Sequence, residues 1–432
     1  MPSFPQVAVR RCVATLAAGL CAAVGLAAPA RAEPEKALLA AARAQQQPLL
    51  ATLGQLCNIE SGSRDLAGLN RVATLLAQRL RGLGASVETI AARGDDGQPH
   101  GAMVKGVLRG RGSRSILLLA HMDTVYARGD LAHQPFVVRG DRAYGLGVAD
   151  DRQGLAVILH ALAVIKAAGI DSYGRITVLF NADEEIGSGG SHGLITRLAS
   201  EADAVMSFEG ASAKSDALAL STAGIGSVKL TVHGRAAHAG GAPGAGVNAL
   251  VELSHQILAL NDLSDPARGV KLNWTLASAG TVRNMIPPQA TAEADVRVLD
   301  PADYDALEKT LHERVQSVAV PGATVEVALA RGRPPLKATP VAARFAAHAQ
   351  AIYAELGATL GVEAEPGGGG TDAAYAGLEA HGPVVERFGL PGAGAHSQDA
   401  EYVLVGSIVP RLYLVARMVE DVANDRWNPN RE

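Results

Sequence analysis

Apolar residues recur at helical spacing from Glu35 to Leu83, most clearly in the run Leu69–Leu80. Beyond it the pattern alternates. The run Ser115–Ala120 is short and almost wholly apolar, as a strand covered on both faces would be. A helical pattern follows over Arg152–Ala168, then strand-like runs at Arg175–Phe180 and Ala204–Phe208. Such alternation predicts a mainly parallel sheet flanked by helices. Between about Ala223 and Pro334 the order changes to strand (Ser227–Val232), helix (Val247–Leu260), strand (Lys271–Ala277), strand (Ala290–Val298), helix (Asp303–Val318), strand (Thr324–Ala330). That βαββαβ order is the split ferredoxin-like unit, able to stand as a small α+β domain. After Pro334-Pro335 the first pattern resumes, with a helix near Val341–Leu356, a strand at Pro383–Phe388 and a closing helix near Ser407–Val422. The expected architecture is an α/β catalytic domain in two parts, 33–222 and 336–432, interrupted by an inserted lid at 223–335.

The N-terminus has a different grammar. Arg10-Arg11 precede an apolar run, Cys12–Ala28, which ends in Pro29-Ala30-Arg31-Ala32. A positive start, a short greasy stretch and a small-x-small site predict a secretory signal, 1–32, cut after Ala32. The run is short for a stable membrane span, so a periplasmic or secreted protein with no remaining membrane contact is expected. The adjacent arginines leave both the general secretory and the twin-arginine routes open.

Composition narrows the function. Of 432 residues, 48% are hydrophobic and 19% charged, enough for a large core and against disorder. With a net charge of −4 and no basic cluster, nucleic-acid binding is not expected. Removing Arg10, Arg11 and Arg31 with the signal takes that charge to −7 and leaves Cys57 as the sole cysteine. No internal disulfide can then form, and any metal site must use imidazole and carboxylate ligands.

Such residues fall in five clusters: His121-Met122-Asp123, Asp150-Asp151, Asp183-Glu184-Glu185, Glu209-Gly210 and Gly389–Ser397, which contains His396. Four of the five lie just past predicted strands, where open parallel sheets bind ligands. His121 and Asp123 are two apart, so Asp123 can orient the imidazole while its other nitrogen faces a metal. Of the adjacent Glu184 and Glu185, one can hold a cation and the other serve as general base. Asp150 has two oxygens and can bridge two cations; Asp150-Asp151 also suits a helix N-cap. Four carboxylates in one partly dry crevice would repel strongly, and two divalent cations would cancel them. Hard oxygens with imidazole suit Zn²⁺, with Mn²⁺ or Co²⁺ as replacements.

These motifs resemble the M20 zinc exopeptidases, and over about Leu50–Val422 the bacterial glutamate carboxypeptidases within that family. The resemblance rests on Leu119–Val125, Ala149-Asp150-Asp151, Asp183–Ser188 and Gly369–Tyr375 in the expected order. It implies two zinc ions per subunit, one on His121, Asp150 and Glu209, the other on Asp150, Glu185 and His396. It further implies Asp123 as orienter of His121, Glu184 as base and His238 as oxyanion donor, reaching across a lid-to-lid homodimer. Asn284 and Arg297, with Arg333, Gly370 and Thr371, are the implied substrate contacts, a guanidinium fork matching a carboxylate. Arg331 reads instead as an ordinary surface partner. The implied reaction is hydrolysis of the amide to a C-terminal amino acid, glutamate first, as in folate-like or N-acyl-glutamate conjugates. An M20 dipeptidase or N-acyl-amino-acid amidohydrolase of other preference would share every metal ligand. One departure stands out: glutamate-specific relatives carry a lysine where this chain has Ala217, with Lys214 three residues earlier.

Overall fold

The computed structural model describes residues 33–397 and 399–427. The proposed signal, 1–32, lies outside them. Among the described residues no helix is long and apolar enough to cross a membrane. The N-terminal helical pattern is two helices, Lys36–Cys57 and Leu66–Leu83, the second capped by Asp65, whose carboxylate accepts the Gly68 N–H at 3.1 Å.

A six-stranded sheet forms the centre. Its spatial order is Ser86–Arg93, Pro99–Arg109, Arg175–Asn181, Ser115–His121, Ala204–Ser207 and Val384–Val385. The last four are mutually parallel; the first two form an antiparallel hairpin added at one edge. Both faces are covered. Ile116, Leu118 and Ala120 face a core shared with helices Lys36–Cys57, Gln153–Ala167, Pro340–Glu355 and Ile408–Ala423. The intervening Leu117 and Leu119 face a smaller core with helices His192–Ser200 and Ala373–Ala376. This is the period-two alternation of a strand, with both sides apolar. The expected strand Pro383–Phe388 is shorter than its apolar run. Parallel pairing with Ala204–Ser207 stops at Val385, Glu386 bridges instead to Ala219, and Arg387 adopts φ +71°, incompatible with extended backbone.

The second unit follows the expected order: Gly224–His233, Ala249–Leu260, Lys271–Ala279, Gln289–Val298, Ala302–Arg314, Thr324–Arg331. Its four strands form an antiparallel sheet with Lys271–Ala279 at one edge and Thr324–Arg331 at the other. Val228, Leu230 and Val296 pack there against Leu253 and Leu311 in a separate core.

Cys57 is buried and unpaired, and burial pushes its thiol far above the ordinary range, so it is inert.

Candidate metal centre

The sheet brings the sequence clusters together at one end. His121 and Asn181 are the last residues of their strands, and Glu209 lies two residues beyond Ser207. Asp150 sits in a tight segment before helix Gln153–Ala167, next to a cis peptide with Asp151. His396 arrives from the loop after Pro391–Ala393, with a left-handed φ of +65°.

Asp150 is the hub. Its Oδ1 is 3.0 Å from His121 Nε2, and its Oδ2 is 3.2 Å from His396 Nε2. Each imidazole nitrogen has a second carboxylate nearby: Glu209 at 3.4 Å from His121, Glu185 at 3.4 Å from His396. Ligand atoms of His121, Asp150 and Glu185 lie within 4.8 Å of one another, close enough to hold a common ion. Asp123 is fully buried, with Oδ1 3.3 Å from His121 Nδ1. It also accepts the Glu184 and Glu185 N–H groups, each at 3.1 Å, and the Ser63 hydroxyl at 2.8 Å. One carboxylate thus locks two strand-end loops and one ring. Asp151 turns away from the crevice, accepting Gln153 Nε2 at 2.7 Å and the Gly154 N–H at 3.2 Å in the first helical turn.

The electrostatics of the cluster fit a cation. Burial pushes the Glu209 carboxyl up, and the neighbouring Asp150 charge adds to it. Burial likewise raises Glu185, whose Oε1 is buried with no hydrogen-bond partner among the described residues. Asp150 goes the other way: burial would raise it, but the His121 and His396 imidazoles outweigh burial. An orphaned carboxylate oxygen beside two repelling acids and two imidazoles is a donor set that divalent metal satisfies.

Glu184 stands beside this set. Burial lifts its carboxyl well above the usual range, opposed by the Arg333 guanidinium. Arg333 is itself buried; Nη1 pairs with Glu184 Oε1, and Nη2 donates to the Glu184 carbonyl at 2.7 Å and Ser188 Oγ at 3.1 Å. Its two terminal nitrogens are thus engaged by Glu184, Ser188 and Gly370. Its Nη1 also reaches the Gly370 carbonyl at 3.3 Å, while the buried Thr371 Oγ1 has no partner among the described residues.

The remaining expected residues lie on the four-stranded unit. Arg297 is forked onto Asp295 at 2.9 and 3.0 Å, and its Nη1 donates to the Gly368 carbonyl at 3.1 Å. Asn284 is exposed, its carbonyl accepting the Ala239 N–H at 2.8 Å. His238 is exposed too, with Nδ1 accepting the Gly240 and Gly241 N–H groups at 3.2 and 2.9 Å. That places the proton of the neutral ring on Nε2, leaving an outward donor. His238 has no hydrogen bond or ion pair to its own chain's metal cluster among the described residues. Arg331 pairs with Asp305 and Glu308 at the surface. Ala217 is buried in a short strand beside Gly361 and offers no charge to the crevice.

Sequence reasoning passed over Glu401. It is fully buried and accepts the N–H groups of Gly147, Ala149 and Asp150 at 2.9, 2.8 and 3.1 Å, and the Tyr126 hydroxyl at 2.5 Å. It ties the Asp150 segment down. Asp372 does similar work behind Glu184, accepting Asn181 Nδ2 at 2.6 Å and the Ser188 hydroxyl.

Residues 117–421 match the model of peptidase family M20/M25/M40. The chain belongs to this family. It is 45% identical to carboxypeptidase G2 of Pseudomonas sp. over 421 residues, covering 98% of this chain and 99% of that one. Among solved M20-type structures, a tripeptidase from Staphylococcus aureus superposes with a TM-score of 0.74 at 22% identity, over 88% of this chain and 99% of that one. An M20 family metallo-carboxypeptidase from Sulfolobus solfataricus gives 0.70 at 17% identity, covering 87% of this chain and 99% of that one. Both establish the shared fold. Membership of this family implies a divalent metal, and His121, Asp150 and Glu185 form a group able to hold one.

Proposed function

We propose that this M20 peptidase is an exported metallocarboxypeptidase that hydrolyses the amide bond to a C-terminal amino acid, glutamate first. The observation that carries the reading is the arrangement around Asp150: two imidazoles, each with its own second carboxylate, and an acid, Glu184, left beside them. A protein that merely stored metal would have no use for that last group. The carboxypeptidase assignment follows the near-complete alignment with carboxypeptidase G2.

His121, Asp150 and Glu209 would hold one cation, and Asp150, Glu185 and His396 a second, zinc being the fitting choice for this donor set. Divalent ions bound there supply a Lewis acid and a water of pKa near ~7 as nucleophile. The protein's own groups do the rest. Glu184 takes the proton of the attacking water and returns it to the leaving amine, and its raised affinity for a proton suits that shuttle. Arg333 fixes the Glu184 carboxylate in place. Asn284 and Arg297 hold the substrate's free carboxylate, and the Gly370–Thr371 backbone borders it.

The oxyanion takes its hydrogen bond from the partner subunit's His238, across a homodimer built on residues 223–335. Support comes from the exposed apolar row on that unit: Leu250, Val251 and Leu258 on helix Ala249–Leu260, and Leu276 on the open-edged strand. Residues 33–222 and 336–432 form the catalytic part, delivered by the 1–32 signal.

The test is metal content of the purified mature protein, with rates on N-acyl conjugates of C-terminal Glu, Ala, Leu and Arg. About two equivalents of zinc and fastest release of glutamate are expected. Full activity after chelation would end the metal mechanism, and equal rates on Glu and Ala would end the glutamate assignment.

A further inference from the structure

A cleft of about 290 Å³ opens directly beside Asp150 and Glu209. Its walls are mostly glycine and alanine, including Gly210, Ala211 and Ala393, so they leave length for a visiting side chain. Among the described lining residues Arg387 is the only cation. Its side chain is 28% exposed and its Nη1 meets Glu363 Oε2 at 2.5 Å. Its Nη2 has no hydrogen bond among the described residues and lies 3.7 Å from where a Cβ on Gly367 would sit.

The backbone here is held in a conformation arginine rarely adopts. Arg387 has φ +71°, between Glu386, whose N–H donates to Ala219 at 2.9 Å, and Phe388, whose N–H donates to Ser207 at 3.0 Å. The fully buried Arg411 donates to the Arg387 carbonyl at 3.2 Å. Left-handed backbone at a bulky residue is costly and concentrates at functional sites. An ion pair this exposed offers little to offset it. The strain is explained if the guanidinium is needed where it stands.

Arg297 approaches the same tetraglycine segment, 367–370, by donating to the Gly368 carbonyl at 3.1 Å. Two guanidiniums therefore flank consecutive residues, and one of them, Arg387, lines the cleft beside Asp150 and Glu209. A substrate with one carboxylate needs one of them; a dicarboxylic amino acid uses both.

We propose that Arg387 is the specificity determinant for an acidic side chain on the released residue, the cleft receiving that side chain while Arg297 takes the α-carboxylate. This rests on the exopeptidase reading above and deepens it. Glu363 acts as a placeholder that keeps the guanidinium extended until a substrate carboxylate arrives.

The test uses zinc-loaded full-length mature protein and matched N-benzoyl conjugates of Glu, Gln and Arg. Wild type is expected to favour Glu over its neutral isostere Gln. Arg387→Gln should lower the Glu/Gln ratio of kcat/KM by roughly 10–100-fold, chiefly through KM on the Glu substrate. Arg387→Lys should keep part of the ratio, Arg387→Glu should shift preference towards Arg, and Glu363→Gln should lower KM for Glu. Lys214→Ala, altering an exposed lysine of the adjacent loop, should leave the ratio unchanged. A fall in Glu and Gln rates by the same factor in Arg387→Gln would overturn the proposal, as would collapse of the ratio in Lys214→Ala. Wild type cleaving all three conjugates without favouring Glu would sink this inference together with the glutamate preference but leave the exopeptidase reading standing; wild type cleaving none would sink the exopeptidase reading.

Discussion

Strands Ser115–His121 and Arg175–Asn181 of the six-stranded sheet are buried at every position but the first, whereas Gly224–His233 of the four-stranded sheet buries only alternate residues. A sheet covered on both faces has nowhere to present chemistry except its ends, and there His121 and Glu209 stand, with Glu185 in the loop just beyond. Its rigidity suits groups that must hold fixed mutual distances of 3.0–3.4 Å. The half-covered sheet keeps one face and an edge free for other surfaces. It contributes His238, Asn284 and Arg297, the groups assigned to substrate and partner rather than to metal. Under the proposed assignment, the division gives the ion to the ends of the rigid sheet and much of the ligand recognition to the half-covered one.

The strongest way to break that division is at Glu184, on the rigid side but outside the ligand set. Glu184→Gln should lose about 10²–10⁴-fold in turnover while metal content stays constant. Metal loss in step with activity would make it a ligand instead. On the other sheet, His238→Ala should cost about 10²–10³-fold in kcat with metal unchanged. Co-refolding it with Glu184→Gln sharpens the point. Mixed dimers regain one intact centre, restoring about a quarter of wild-type sites if the histidine acts across the interface. No recovery would confine His238 to its own subunit.

Stability should divide the same way. Leu118→Ala removes a fully buried side chain and should cost about 2–5 kcal/mol in denaturant unfolding. Leu276, 64% exposed on the edge strand, should change monomer stability by under about 0.5 kcal/mol when cut to alanine. Leu276→Asp should instead weaken association in sedimentation; a dimer unaffected by it is built elsewhere.

The effect expected to show only in acid is at His160 on helix Gln153–Ala167. Burial, aided by the Arg79 charge, depresses its folded pKa to about 4. The unfolded chain takes up this proton near pH ~6.5 and the folded chain does not. Its contribution, up to about 3 kcal/mol, is therefore complete above that pH and lost as pH falls towards the folded value. His160→Gln should flatten the melting-temperature slope over that window, and an unchanged slope would rule the group out.

The two sheets were unequally legible in sequence. Continuous apolar runs marked the buried strands, and the βαββαβ order of the other unit was plain from alternation. The hairpin Ser86–Arg93 with Pro99–Arg109 went unremarked, because its outer strand is largely exposed and has little apolar pattern to read. The metal cluster was legible because strand ends place its members. Arg333 was legible only as a substrate contact: its pairing with Glu184, 149 residues away, depends on a tertiary approach that no local spacing encodes. Glu401 was hidden for the same reason, sitting in an ordinary Asp-Ala-Glu-Tyr stretch.

That hidden acid bears on when the enzyme becomes competent during its own synthesis. The segment holding Asp150 is pinned by a residue 251 positions downstream, and His396 arrives just before it. A growing chain that has not yet released residues 396–401 has neither the clasp nor the second imidazole. Hydrolytic power is thus withheld from any growing polypeptide that has not yet exposed residues 396–401.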